Sequence, residues 1–293
     1  MILVEEKLLI KPIVLVVGLG EVGRSLFELL QQSNKFEAFC WDINKKKIQD
    51  IQQNKLPKAV DVLYICYRCM NQQKFINITT DYMKQFKPKL TIINSTVPPG
   101  TTKKIHELMG GHIVHSPIRG MHYNKETMKN DLLFWTKYIG GVDNESADMA
   151  NKHFKELGLK TKILKSSTDT ELAKLFSTTY RAWMIACFQE MHRISRNFEA
   201  DFDQVTDFLD DTHRVRFDRP VHFPGVIGGH CLISNSELLL ECYDSEFIKL
   251  MLKSNERRKK EIENSEIAKE ANKIRNKVEA FHKERPKVRS KSK

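Results

Sequence analysis

The 293-residue sequence has no apolar run approaching the roughly 20 residues that a bilayer crossing needs. Its apolar opening is broken by Glu5, Glu6, Lys7, Lys11 and Pro12, which is wrong for a secretory signal. A disulfide framework is missing too: Cys40, Cys66, Cys69, Cys187, Cys231 and Cys242 follow no such spacing, so a reduced, cytoplasmic chain is expected. Cys66-Tyr-Arg-Cys69 lacks the second ligand pair that zinc requires, and Cys66 closes an apolar run that begins at Val62. His112, His115 and His122 match no zinc spacing, and alternate strand residues face opposite sides, so no metal site is expected. Glycine and proline are both absent from Thr168 to Phe198, a span that reads as one very long helix.

Positive charge is in excess, with a formal net charge of +11, but it is unevenly spread. From Ser254 to Lys293 the chain carries 14 Lys and Arg against 7 Asp and Glu, so residues 1–253 are only mildly basic. The last part, Lys283 to Lys293, has no apolar period and reads as disordered. Such a basic tail is either a solvated extension or a nonspecific contact for nucleic acid or an anionic membrane.

Apolar segments and turn residues define the organisation. Ile13 to Val17 is a β-branched run that leads into glycines, and Val22 to Leu30 then reads as a helix. Strands follow at Phe36–Trp41, Asp61–Cys66, Leu90–Asn94, Ile113–His115, Lys137–Ile139 and Thr161–Leu164. Helical segments at Lys45–Gln53, Gln73–Phe86, Thr102–Met109 and Ser146–Leu157 alternate with them. This alternation predicts an α/β fold with an N-terminal Rossmann-type, doubly wound parallel sheet over residues 1–165. An all-helical domain over 166–253 is expected next, built on the long helix, with further helices at Phe202–Leu209 and Leu238–Leu252 and a loop over Pro220–Ser236. Leu172, Leu175, Phe176, Trp183, Ile185, Ala186, Phe188 and Met191 make the long helix apolar over a width that suits its own domain and a second copy of the chain. Residues 254–293 are expected as a basic tail, helical at first and disordered towards its end.

Four strings carry chemistry. Gly18, Gly20 and Gly23 follow a strand and open a helix, the context of a dinucleotide fingerprint. The glycines permit a tight turn and close backbone approach, and the helix N-terminus at Glu21 and Val22 favours a pyrophosphate. Asp42, at the end of the next strand, suits the adenosine ribose hydroxyls and favours NAD over NADP, a preference that Lys45, Lys46 and Lys47 soften. Ser95 to Thr102, including Thr96, follows a strand and precedes a helix; its hydroxyls and amides suit a cofactor or substrate pocket, or simply a capped turn. Lys174 lies one helical turn beyond Glu171, either as half of an exposed charge pair or as an interior ammonium that stabilises an oxyanion. Cys231 follows Gly228, Gly229 and His230, where glycines admit a substrate and an imidazolium favours thiolate; a buried structural cysteine is the alternative.

Together these strings resemble the UDP-glucose/GDP-mannose dehydrogenase family over about residues 10–235, in order and in spacing. The resemblance implies an NAD-dependent dehydrogenase acting on a primary alcohol of a nucleotide sugar or a related small molecule. It also implies a homodimer formed through the central helical domain. By that likeness Cys231 is the nucleophile that forms a thiohemiacetal, Lys174 the oxyanion-stabilising cation, and Thr96 a group positioning water. The chain departs from the pattern at Ile118, where the family carries Glu, at Thr178 in place of Asn, and at Asn235 in place of Asp. Each loss removes a group that would deprotonate water or hold an oxyanion. Arg119 and His122, close to the missing acid, are expected to contact substrate instead, with Thr178. The family's C-terminal nucleotide-sugar domain is not expected in the basic tail. Two alternatives follow: a dehydrogenase that stops after one hydride transfer on a smaller substrate, and a non-catalytic NAD-binding partner or regulatory protein.

Overall fold

A computed structural model of the chain describes residues 11–51, 55–119, 125–228 and 231–284; for 125–127 and 281–284 it describes the backbone alone. Seven strands, β1 Ile13–Val17, β2 Glu37–Trp41, β3 Val62–Ile65, β4 Leu90–Ile93, β5 His112–His115, β6 Lys137–Gly141 and β7 Thr161–Ile163, form one sheet. Its order is β2-β1-β3-β4-β5-β6-β7. The helices are α1 Glu21–Ser33, α2 Gln72–Phe86, α3 Thr101–Met109, α4 Lys125–Phe134, α5 Asn144–Glu156, α6 Ser167–Asn197, α7 Phe202–Arg216, α8 Leu232–Cys242, α9 Glu246–Glu261 and α10 Ser265–Glu284. The chain divides into two compact units, residues 1–174 and 175–293.

In the first unit the strands are short and nearly all apolar, as expected where both faces are covered. Side chains alternate between faces: Val14 and Val16 enter one core with Leu26 and Phe27 of α1, Met128 of α4 and Phe154 of α5. Leu15 and Val17 enter the other, with Phe75 of α2 and Ile105 of α3. The sheet is the Rossmann-type arrangement expected, with one difference: β6 pairs antiparallel to β5 and carries β7 with it. The reason lies in α4, which the apolar pattern did not reveal. It returns the chain to the end of the sheet at which β5 finishes, so β6 starts there and runs back along β5.

Three other differences have local causes. Of Lys45–Gln53, expected as a helix, the described residues 45–51 show only the 3-10 turn Lys45–Lys47, where three adjacent ammonium groups repel. Asn44 caps that turn by accepting from the Lys46 amide. The single helix expected over Leu238–Leu252 is instead α8 and α9, broken at Tyr243, and the loop before it ends at Cys231 rather than Ser236. Ser245 forces the break by capping α9 through its side chain.

In the second unit Phe188 of α6, Phe202 of α7 and Ile274 of α10 meet in a small core. Residues 254–284, in the part of the tail expected to begin as helix, complete α9 and form α10. They pack because Asn255 and Arg258 prolong the buried Ile248–Met251 face of α9. Arg285 to Lys293, like His122, Gly229 and His230, lie outside the described residues. No helix among the described residues is long and apolar enough to cross a membrane.

Candidate active site

The glycine turn joins β1 to α1. Gly18 has φ +93°, and a Cβ there would lie 2.6 Å from the Tyr67 amide nitrogen, so only glycine fits. A Cβ on Gly23 would lie 1.8 Å from the Gly18 carbonyl oxygen, which sets the approach of α1 to the turn. At Gly20, by contrast, an added Cβ would meet no atom of the chain within 4 Å. No side chain caps α1, whose N-cap position is Gly20. An uncapped helix start beneath open space is what a dinucleotide pyrophosphate requires, so the turn fits the cofactor that the fold implies.

Asp42, at the end of β2, is buried, and both its oxygens are engaged. Oδ2 accepts from the Leu19 amide at 2.7 Å and from Lys47 Nζ at 3.2 Å, and Oδ1 accepts from the Asn44 amide at 2.8 Å. Ser95, also expected at the cofactor, donates its hydroxyl to the Tyr67 carbonyl at 2.6 Å, tying the ends of β3 and β4 together. Thr96 beside it is half-buried.

At the same sheet edge, the run Ser116-Pro117-Ile118 presents three carbonyls to two lysines. Lys137 Nζ donates to Ser116 O at 2.5 Å, to Pro117 O at 3.3 Å and to Asn94 Oδ1 at 2.7 Å. Lys174 Nζ donates to Ile118 O at 2.7 Å. Lys137 is buried, and desolvation pulls its ammonium well below the usual lysine range, with Lys174 adding like-charge repulsion. His115 lies between Thr170 Oγ1 at 2.8 Å and Ser95 O at 3.1 Å; burial lowers it to about 3, so it is a neutral imidazole. The backbone run around Ile118 is therefore held by two amines, buried Lys137 and half-buried Lys174.

Glu171 does not pair with Lys174. It is fully buried and caps α3 from a distance, accepting from the Gly100 amide at 2.6 Å, the Thr102 amide at 2.9 Å and Thr102 Oγ1 at 2.6 Å. Burial still lifts its carboxyl to about 6 against those donors. Pro98, Pro99 and Gly100 thus end in a capped turn whose cap comes from α6. Arg119 folds back on its own unit, its guanidinium 5.0 Å from the Trp135 ring and 4.9 Å from the Tyr138 ring, and it donates to Thr136 O at 3.1 Å.

In the helical unit Cys231 is half-buried at the residue preceding α8, whose first turn has no side-chain cap. Its carbonyl accepts from the Asn235 amide at 3.0 Å. Asn235 Nδ2 in turn donates to Thr178 Oγ1 at 3.2 Å, so the two positions that depart from the family pattern bond to each other. The chain before Cys231 is fixed from α6 and α9. Gln189 donates to Gly225 O at 2.7 Å, and buried Asn255 accepts from the Ile227 amide at 2.7 Å. Gly228 is exposed. Among the described residues no group of three or more His, Cys, Asp and Glu could hold a metal.

Lys137 and Asn255 are the residues that the sequence reading missed. Asn255 had a signal, because it continues the helical period of Ile248 and Met251. Lys137 had none, since a lysine that opens a strand ordinarily points to water.

Residues 168–257 match the profile of the UDP-glucose/GDP-mannose dehydrogenase family, central domain. Over those residues the chain is similar to that family. Among its relatives is a UDP-N-acetyl-D-mannosamine dehydrogenase of Methanocaldococcus jannaschii, 26% identical over 268 residues, covering 77% of this chain and 61% of the relative. Another is a UDP-glucose 6-dehydrogenase of Campylobacter jejuni, 25% identical over 294 residues, covering 84% and 72%. The chain thus spans about three-fifths of the length of the mannosamine dehydrogenase. The structure of UDP-D-ManNAc dehydrogenase from Pyrococcus horikoshii has the same fold, with TM-score 0.69 at 22% identity over 84% of this chain and 68% of the other. That of 3-hydroxyisobutyrate dehydrogenase from Mycobacterium tuberculosis shares the fold at TM-score 0.63 and 13% identity, covering 87% of this chain and 95% of the other.

Proposed function

We propose that the chain is an NAD-dependent oxidoreductase acting on a primary alcohol of a nucleotide sugar or a closely related molecule. The observation that carries this reading is the Gly18–Gly23 turn, with open space above Gly20 at an uncapped helix start. When bound, the nicotinamide cofactor would accept hydride from the alcohol carbon. The Cys231 thiol would then add to the aldehyde carbon, moving the carbonyl pair onto oxygen, and the Lys174 ammonium would stabilise that oxyanion. Loss of a second hydride from this thiohemiacetal, to a second NAD that replaces the NADH, would give a thioester, and water would cleave its C–S bond to leave the acid and the free thiol. Thr96 would hold that water. The relatives' names support a nucleotide-sugar substrate, in particular a UDP-N-acetylhexosamine.

A second reading, one hydride transfer with release of the aldehyde, is favoured by Ile118 and by the uncharged Thr178–Asn235 pair. Neither supplies a base for thioester hydrolysis. The test is to incubate the full chain with NAD and UDP-N-acetyl-D-mannosamine or UDP-glucose and count NADH per sugar. Two NADH, abolished by Cys231→Ala, support the full oxidation; one NADH that survives Cys231→Ala supports the single step. Saturable NAD binding with no NADH from any such sugar would reject both and leave a non-catalytic cofactor-binding role.

Self-association through α6 belongs to the same proposal. Phe176, Tyr180, Met191, Ile194 and Phe198 are exposed at helical spacing along it. Sedimentation of the wild type as a dimer, and of Ile194→Lys as a monomer, is the expected outcome; a monomeric wild type would contradict it.

A further inference from the structure

Two amines hold one backbone run, and the reading above uses only Lys174. That side chain reaches the Ile118 carbonyl at 2.7 Å from α6. Its backbone is held, because the residues one turn earlier are tied to the α/β unit. Thr170 Oγ1 lies 2.8 Å from His115 Nδ1, and Glu171 accepts from the Gly100 and Thr102 amides. The position of the Lys174 ammonium is therefore decided at its other end, by where the Ile118 carbonyl stands.

That carbonyl belongs to a run stitched to the start of β6 by three consecutive residues. Arg119 Nη2 donates to Thr136 O at 3.1 Å, and Ser116 Oγ donates to Tyr138 O at 2.6 Å. Between them Lys137 Nζ donates to Ser116 O at 2.5 Å and to Pro117 O at 3.3 Å. Lys137 is 4% exposed, and its third bond goes to Asn94 Oδ1 at 2.7 Å. Its donors thus meet three uncharged oxygens and, among the described residues, no carboxylate. Burying an amine in this way is costly, and an apolar side chain would fill the same space beside the Phe154 ring. What the amine adds is a fixed place for the two carbonyls that precede Ile118.

We infer that Lys137 is a positioning residue for Lys174: it pins the Ser116–Ile118 run and so sets the carbonyl on which the Lys174 ammonium rests. The inference rests on the dehydrogenase reading above and deepens it. Lys137 is buried and acts through the backbone, whereas Lys174 is half-buried and is the amine assigned to the oxyanion. Without Lys137 the run loses two of its ties, and Lys174 keeps its place on α6 but loses a fixed direction.

The test compares Lys137→Met, Lys137→Arg and Tyr64→Phe in the full chain. Tyr64→Phe controls for lost stability, since it removes a buried hydrogen bond to His153 in the same unit and bonds to neither lysine. The first readout needs no cofactor: brief labelling with acetic anhydride, the Lys174 peptide being quantified by mass spectrometry against exposed Lys103. Lys174 labelling is expected to rise about threefold or more in Lys137→Met and to stay within about twofold of wild type in the other two. The second readout is turnover of NAD with UDP-N-acetyl-D-mannosamine. There Lys137→Met is expected to lower kcat about tenfold or more with KM within about threefold. Lys137→Arg, which keeps the donors, is expected to restore kcat to within about threefold of wild type. Unchanged Lys174 labelling in Lys137→Met, or an equal fall of kcat in Tyr64→Phe, would overturn the positioning role. No NADH from the wild type with that sugar or with UDP-glucose would overturn the dehydrogenase reading instead, while the labelling still decides whether Lys137 holds Lys174.

Discussion

The two units bury positive charge in opposite ways. In the α/β unit Lys137 is satisfied by two carbonyls and an amide oxygen, and Lys174 donates to the Ile118 carbonyl, so both amines sit on one backbone run. In the helical unit Arg258 is fully buried within a relay of side chains. Its Nη1 meets His192 Nδ1 at 3.1 Å, its Nη2 donates to Gln189 O at 2.7 Å, and its Nε lies 3.3 Å from Glu261. His192 Nε2 reaches Glu270 at 2.8 Å, and Glu270 also binds Arg196. The second arrangement joins α6, α9 and α10 and is compensated by carboxylates; it serves stability. The first holds its amines on backbone carbonyls at the end of the β5 strand.

That contrast is broken first at Arg258. Arg258→Met should cost about 3 kcal/mol in urea unfolding, because it leaves the buried His192 nitrogen and the Gln189 carbonyl without their donor. A loss below about 1 kcal/mol would remove the structural role given to the relay. Lys137→Met should cost less, about 2 kcal/mol, since the methionine still packs near Phe154 while Asn94 and two carbonyls lose a donor.

Acid sharpens the comparison within the α/β unit. Burial lowers His115 to about 3 and His153 to about 4, below the 6.5 of an unfolded histidine. Between those values the unfolded chain binds more protons, so stability rises with pH and is lost on acidification, at about 1.4 kcal/mol per pH unit for each group. Glu171, lifted to about 6, works in the opposite sense between 4.5 and 6 and offsets part of the slope. Thermal melting should therefore fall between pH 6.5 and 4, and less steeply in His153→Gln. An unchanged slope would contradict the buried neutral His153.

Asn255→Ala should cost about 1–2 kcal/mol by freeing the Ile227 amide, and it should loosen the approach to Cys231. Faster hydrogen exchange at residues 224–228 with α6 unchanged is the expected signature. The smallest stability effect belongs to Lys174→Met, below about 1 kcal/mol for a half-buried side chain, while NADH formation is lost. Equal loss of stability and activity would recast Lys174 as structural.

How far the sequence spoke depends on the kind of signal. The long helix, expected over Thr168–Phe198, is found at Ser167–Asn197, because the absence of glycine and proline acts locally. The strands leading to Gly18 and Asp42 were legible for the same reason. The split between α8 and α9 was also written locally, in Ser245 followed by Glu246, but the apolar residues on both sides masked it. Glu171 and Lys137 were not legible. Their partners, Thr102 for one and Asn94 for the other, are distant along the chain, and no periodicity reports which polar side chain a sheet edge will enclose. The same holds for Asp42, where the sequence supplies the acid and only the folded turn brings Lys47 against it.

The claim on which the functional account turns is that Cys231 carries the oxidised carbon between two hydride transfers. The direct measurement is peptide mass spectrometry after rapid acid quenching of the full chain turning over with NAD and UDP-N-acetyl-D-mannosamine. The account predicts a sugar-acyl mass on Cys231, absent from Cys40, Cys66, Cys69, Cys187 and Cys242. Continued NADH production with Cys231 unmodified at every quench time would contradict it.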